Sequence, residues 1–163
     1  MRKEALAIGA GLVAAGPTVL AFFSGGFFDR PRLIAGILAW GLVVVAAVPL
    51  PRPLPSSTPG RVALAGLFLL TAWTALSLTW APLGGRAQDD LQRLMLYLGF
   101  FIAALALLRG SVVRRWLEPS VVLGALIVVG YGLAERLLPG LIEFERSRTA
   151  TGRLEQPLTY WNA

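Results

Sequence analysis

The chain has 163 residues, 56% apolar and 15% charged, with a mean hydropathy of +0.68. Soluble domains hold about 45–50% apolar and about 25% charged residues, so this composition points to lipid. Neither Cys nor His is present, which excludes disulfides, thiolate metal sites, iron–sulfur clusters, a cysteine nucleophile and an imidazole base or ligand.

The net charge of +6 and a pI near 11 would suggest nucleic acid in a soluble protein. Here the fifteen basic residues stand singly or in pairs between long apolar runs. That is the placement expected of loops around membrane helices, and nucleic acid is not an expected partner. The fold class expected is all-α, a polytopic bundle of about five transmembrane helices.

Taken in chain order, the charge-free runs are 5–28, 33–51, 62–85, 94–108 and 119–134, of 24, 19, 24, 15 and 16 residues. A helix rising 1.5 Å per residue needs about 20 residues to cross a hydrocarbon core of about 30 Å. The first three runs qualify directly. The fourth covers about 22 Å by that rise, with Arg93 and Arg109 free to snorkel from its ends. The fifth extends from Trp116 through Leu138, where Pro139-Gly140 stops it. The expected spans are 5–26, 33–51, 62–81, 91–109 and 117–138. Residues 1–138 then form the membrane region, and 139–163 an outer-face polar loop leading to a further helix.

Met1-Arg2-Lys3 before the first run resembles the start of a signal peptide, but the apolar run is long and no small-x-small cleavage site precedes a soluble domain. A retained first helix is expected. On it Ala7, Gly11 and Ala15 recur every fourth residue, a packing face in a membrane helix or a chance pattern in an Ala/Gly-rich chain. Residues 49–59 hold five prolines and two serines, which suits an extended link. Residues 81–85 read as a turn.

Orientation follows from Lys and Arg. With the N-terminus in the cytoplasm, the cytoplasmic segments carry Arg2, Lys3, Arg52, Arg61, Arg109, Arg114 and Arg115. The short outer loops carry Arg30, Arg32, Arg86 and Arg93, and the tail adds Arg136, Arg146, Arg148 and Arg153. Tails weigh less than short loops, so a cytoplasmic N-terminus is expected.

The span interiors hold hydroxyls (Thr18, Thr71, Thr74, Ser77, Tyr97 and Tyr131) but no charge near mid-membrane. Ion-coupled transporters and proton relays place ionisable groups there, so an autonomous transporter is disfavoured. Asp89-Asp90 would make a metal or acid/base site. The simpler reading is a pair in the first turn of the fourth helix, favoured by its dipole and by Arg93 at i+3 and i+4. Glu135-Arg136 reads as a membrane boundary before a headgroup or phosphate contact. Trp73, Trp80 and Trp116 read as interfacial or packing residues. The tail concentrates Arg146, Arg148 and Arg153 with Tyr160, Trp161 and Asn162. Guanidinium groups there suit phosphate and diphosphate. On charge alone an ordinary solvated loop explains the tail as well, since Glu135, Glu143, Glu145 and Glu155 balance its four arginines.

Two strings sharpen the reading. Trp73-Thr-Ala-Leu-Ser77-Leu-Thr-Trp80-Ala-Pro82, followed by Gly85-Arg86-Ala87, resembles the pattern W-x-x-L-S-x-x-W-(S/A)-P of the O-antigen ligase/polymerase-like membrane family. The segment Gly152-Arg153-Leu154-Glu155-Gln156-Pro157-Leu158-Thr159-Tyr160-Trp161-Asn162-Ala163 looks like that family's G-R-L-x-x-P-L-x-Y-W-N-A variant, and it is the more specific of the two. Helix count, orientation and motif order agree with the family across essentially the whole chain.

The resemblance implies a longer polytopic enzyme of the bacterial plasma membrane. It would transfer a glycan from a polyprenyl-diphosphate carrier to a glycan, lipid or protein acceptor at the outer face, with no nucleotide sugar, metal or other cofactor. It implies outer-face arginines on the diphosphate, here Arg153 with Arg148 and Arg146 behind it. Tyr160 and Asn162 would contact sugar or shape a re-entrant turn; interfacial anchoring and helix capping are the competing roles. A later loop of the family often carries the His that activates the acceptor. Without it this chain reads as the N-terminal part, inactive alone, its catalytic residues unknown. The alternative is a non-enzymatic polytopic module, a permease subunit or an envelope-complex scaffold.

Overall fold

A computed structural model describes residues 2–48, 55, 57–109 and 111–138. All the regular structure among them is helical: α1 Arg2–Ala21, α2 Asp29–Ala47, α3 Thr58–Ser77, α4 Gly84–Leu107 and α5 Ser111–Leu137. Each helix begins before its charge-free run, because backbone hydrogen bonding continues where the side chains turn polar. At 20 residues, α3 is about 30 Å long. Four segments, Asp29–Ala47, Thr58–Ser77, Gly84–Leu107 and Arg115–Ala134, are long and apolar enough to cross a membrane, and Leu6–Ala21 forms a shorter apolar helix.

The helices alternate in direction. Arg32 and Trp40 of α2 meet Asp89 and Met95 of α4, so these two run parallel. Gly9 and Gly16 of α1 approach Leu107 and Phe100 of α4, which makes α1 antiparallel to α4. Thr18 and Phe22 meet Gly124 and Tyr131 of α5, so α5 runs with α1. We call the end where α1, α3 and α5 finish and α2 and α4 begin the distal end. Among the described residues α1, α2 and α4 pack mutually as a triangle, α3 packs on α4 alone and α5 on α1 alone.

What is buried and what is exposed invert the pattern of a soluble domain. The core is made of Ala10, Val13, Ala46, Ala103, Ala106 and Leu107. Large apolar side chains such as Ile37, Leu38, Leu69, Trp73 and Leu126 face outward. Small residues let helix backbones approach closely, and lipid rather than water accounts for the exposed leucines. The chain is a helical membrane protein.

The contact face of α1 is not the one its spacing suggested. Ala7, Gly11 and Ala15 are exposed, whereas Gly9, Ala10 and Val13 are buried. A Cβ at Gly9 would lie 3.1 Å from the Leu107 side chain, so the packing surface is offset from the regular four-residue repeat.

The chain reverses between α1 and α2 through a single 3-10 turn at Ser24–Gly26. All three of its residues have positive φ, at 57°, 61° and 76°. Two are glycines, which adopt that region without steric cost; Ser24 does not. This turn ends α1 at Ala21 although the charge-free run continues to Phe28. α3 starts within the proline-rich stretch: the Ser57 Oγ accepts from the Gly60 N–H, and a proline stands in the first turn, where its missing N–H is harmless. After Ser77 successive tightened turns carry α3 on to Trp80.

Candidate functional site

The most organised polar structure lies at the distal end, around Arg32. Asp29 opens α2 in extended-to-helix transition after Phe28, where a carboxylate suits the positive end of the helix dipole. Pro31 occupies the first turn, in which N–H groups have no helical partner anyway. Arg32 follows one turn after Asp29 and points inward between α2 and α4. It is 1% exposed.

Burying a guanidinium is tolerable only when charge and donors are both satisfied. Arg32 Nη2 donates to Asp29 Oδ1 at 2.6 Å and to Asp89 Oδ1 at 2.8 Å. Nε and Nη2 both donate to Gln92 Oε1, at 3.1 and 2.8 Å, and Nη1 donates to the Phe27 carbonyl at 3.1 Å. Asp89 and Gln92, three residues apart, share one face of α4. One side chain thus ties the α1–α2 connector, the start of α2 and the second turn of α4 together. Beside it Arg93 donates to Asp90 Oδ1 at 2.8 Å, and its guanidinium carbon sits 5.7 Å from the centre of the Phe27 ring.

Chemically this cluster is an ion-pair network around one buried cation. One oxygen of each carboxylate accepts from the Arg32 guanidinium, and no nucleophile–base pair is among these residues. Among the described residues no group of three or more His, Cys, Asp or Glu could hold a metal ion. Four hydroxyls in or beside the spans bond to carbonyls of their own helix or turn. Thr71 donates to the Leu67 carbonyl, Ser77 to Thr74, Thr79 to Leu76 and Ser120 to Trp116, the back-bonding expected of Ser and Thr in helices.

The sequence reading of Asp89-Asp90 changes in two ways. α4 begins at Gly84, so the pair lies beyond the first turn, where the dipole acts most strongly. Arg93 takes only Asp90, while Asp89 turns to Arg32. Arg109, expected to extend its span by snorkelling, donates from Nε to the Leu105 carbonyl at 2.7 Å and so satisfies a last-turn carbonyl. Trp73 and Trp80 stack edge-on, 5.9 Å between centroids. The candidate substrate residues Arg146, Arg148, Arg153, Tyr160 and Asn162 lie outside the described residues, as do the side chains of Glu135 and Arg136.

From sequence Arg32 counts only as an outer-loop charge and Gln92 carries no role, whereas Arg32 lies buried within α2. The local half of the signal was present, in Asp29-x-x-Arg32 and Asp89-x-x-Gln92 at one-turn spacing. Their meeting depends on α2 packing against α4. No family model, curated protein or solved structure matches the chain.

Proposed function

We propose that this chain forms the N-terminal membrane part of a glycan ligase or polymerase. It would transfer a saccharide from a polyprenyl-diphosphate carrier to an acceptor at the outer face of a bacterial plasma membrane, with its N-terminus in the cytoplasm. The observation that carries the reading is the ordered pair of strings, Trp73 to Pro82 and Gly152 to Ala163, in a chain of apolar helices. Two features of the bundle support it. Trp73 and Trp80 stand at the distal end, and α5 finishes at that same end immediately before the segment bearing the second string.

In this reading Arg153, with Arg148 and Arg146, compensates the diphosphate as charge develops on the leaving group. Tyr160 and Asn162 contact the sugar or hold the turn. Arg32, already committed to Asp29 and Asp89, is a structural cation and takes no part in transfer. A non-enzymatic scaffold is favoured by one observation alone, the use of Arg32 as a tie between α2 and α4.

The test is Arg153→Ala introduced at the natural locus. Glycan transfer to the acceptor is expected to disappear while the protein stays at its normal level in the membrane. Undiminished transfer would overturn the assignment. Reporter fusions after Pro55 and after Thr149 are expected to read cytoplasm and exterior respectively; the reverse would overturn the orientation.

A further inference from the structure

We propose that the distal end of the bundle is an aromatic and cationic collar seated in the phospholipid headgroup layer, with the Arg32 cluster at that depth. Three separate parts of the fold contribute exposed rings: Phe23, Phe27 and Phe28 from the α1–α2 connector, Trp73 and Trp80 from the end of α3, and Tyr131 from α5. Their mutual contacts are edge-on, Phe27 with Phe28 at 5.4 Å and Trp73 with Trp80 at 5.9 Å, while Phe22 meets Tyr131 at 5.1 Å.

Between these rings the first turns of α2 and α4 present exposed Arg30 and Arg86. Rings with one apolar and one polar part settle at the membrane–water boundary, and guanidinium groups beside them pair with lipid phosphates. The occupant is a phospholipid layer because the exposed surface continues without interruption into the aliphatic flanks below, at Ile37, Leu38 and Leu69. Away from this end the exposed aromatics among the described residues stand apart, Phe68 and Tyr97 near mid-span and Trp116 of α5 toward the opposite end. The collar is therefore one-sided.

A headgroup-level collar also explains how the fold keeps a buried ion cluster so near hydrocarbon. Arg32 is held by the Phe27 carbonyl, Asp29, Asp89 and Gln92 at the collar's level, the depth where the bilayer is polar. Trp40, eight positions further along α2, lies about 12 Å deeper by helical rise and donates its Nε1–H to the Met95 carbonyl at 3.1 Å.

The proposal is independent of the glycan-transfer reading and is tested on the whole chain in phosphatidylcholine–phosphatidylglycerol vesicles. A single-tryptophan chain retaining Trp80 is made with Trp40→Phe, Trp73→Phe, Trp116→Phe and Trp161→Phe. Its fluorescence is expected to be quenched more by phosphatidylcholine brominated near the headgroup than by the same lipid brominated near the chain end. Stronger quenching from the chain end, or none from either lipid, would overturn the proposal. The Cys-free background supplies a second measurement that needs only one substitution. Arg86→Cys is expected to react with an impermeant maleimide present on both sides of the bilayer, and Leu38→Cys to stay unlabelled until the protein is unfolded in SDS. Equal labelling of the two would also overturn it.

Discussion

Arg32 shows how one buried charge organises its surroundings. Its donors reach two carboxylates, an amide and a carbonyl on three segments, but those carboxylates are not equally sheltered: Asp29 is 74% and Asp89 43% exposed. Removing the cation leaves a hole and takes the donors from Gln92 and the Phe27 carbonyl while the exposed carboxylates rehydrate, so Arg32→Ala is expected to destabilise the folded state by about 1–3 kcal/mol, read by unfolding in mixed micelles. Arg93→Ala, which breaks a partly exposed pair, is expected to change it by less than about 1 kcal/mol. A second residue-scale contact is as sharply posed. A Cβ at Gly99 would lie 2.9 Å from Trp40 Nε1. Gly99→Ala is therefore expected to cost about 1–3 kcal/mol, recovered in part by adding Trp40→Leu, which removes the indole that crowds the site. At this scale the sequence was half legible. Asp90 with Arg93 follows from spacing along one helix. Arg32 with Asp89 does not, because the partners are 57 positions apart and no periodicity records a contact between helices.

For the helices themselves, apolar run length located every one, and each helix starts ahead of its run. The absence of charge marks the hydrocarbon, whereas helical hydrogen bonding stops for other reasons: a cap at Ser57, a left-handed turn at Ser24–Gly26, tightened turns after Ser77. Ser57→Ala is expected to lower stability by about 1 kcal/mol by removing the side-chain acceptor at the start of α3, measured by the same unfolding titration. Contact faces were the least legible property. On α1 the regular Ala7, Gly11, Ala15 repeat looks outward, and the used face contains Gly16 and Thr18. Thr18 lies against Gly124 so closely that any Cβ there must displace it. Gly124→Ala is therefore expected to loosen α5 from α1, seen as accelerated proteolysis of the α5 segment in micelles. Thr18→Ala in the same chain is expected to restore part of the protection.

On the scale of the whole molecule, the membrane class was plain from composition, because 56% apolar residues in five runs leave few other solvents. The arrangement was not: a triangle of α1, α2 and α4 with α3 and α5 each leaning on one neighbour depends on which small residues meet. The segment bearing Arg146, Arg148, Arg153, Tyr160 and Asn162 rests on its motif, beyond the described residues. The Arg32 cluster also imposes an order of events during synthesis. Ribosomes add about 5–20 residues per second, so a partner 57 positions downstream is made roughly 3–11 s after Arg32 itself. Through that interval Asp29, one turn away on the same helix, is the carboxylate within reach, and it can neutralise α2 as the segment enters the bilayer. The arrival of α4 then exchanges a local pair for a shared one, turning a safeguard of insertion into the tie between two helices. Asp29→Asn should consequently lower the yield of inserted protein in a pulse-labelled membrane fraction more than it lowers the stability of chains already folded.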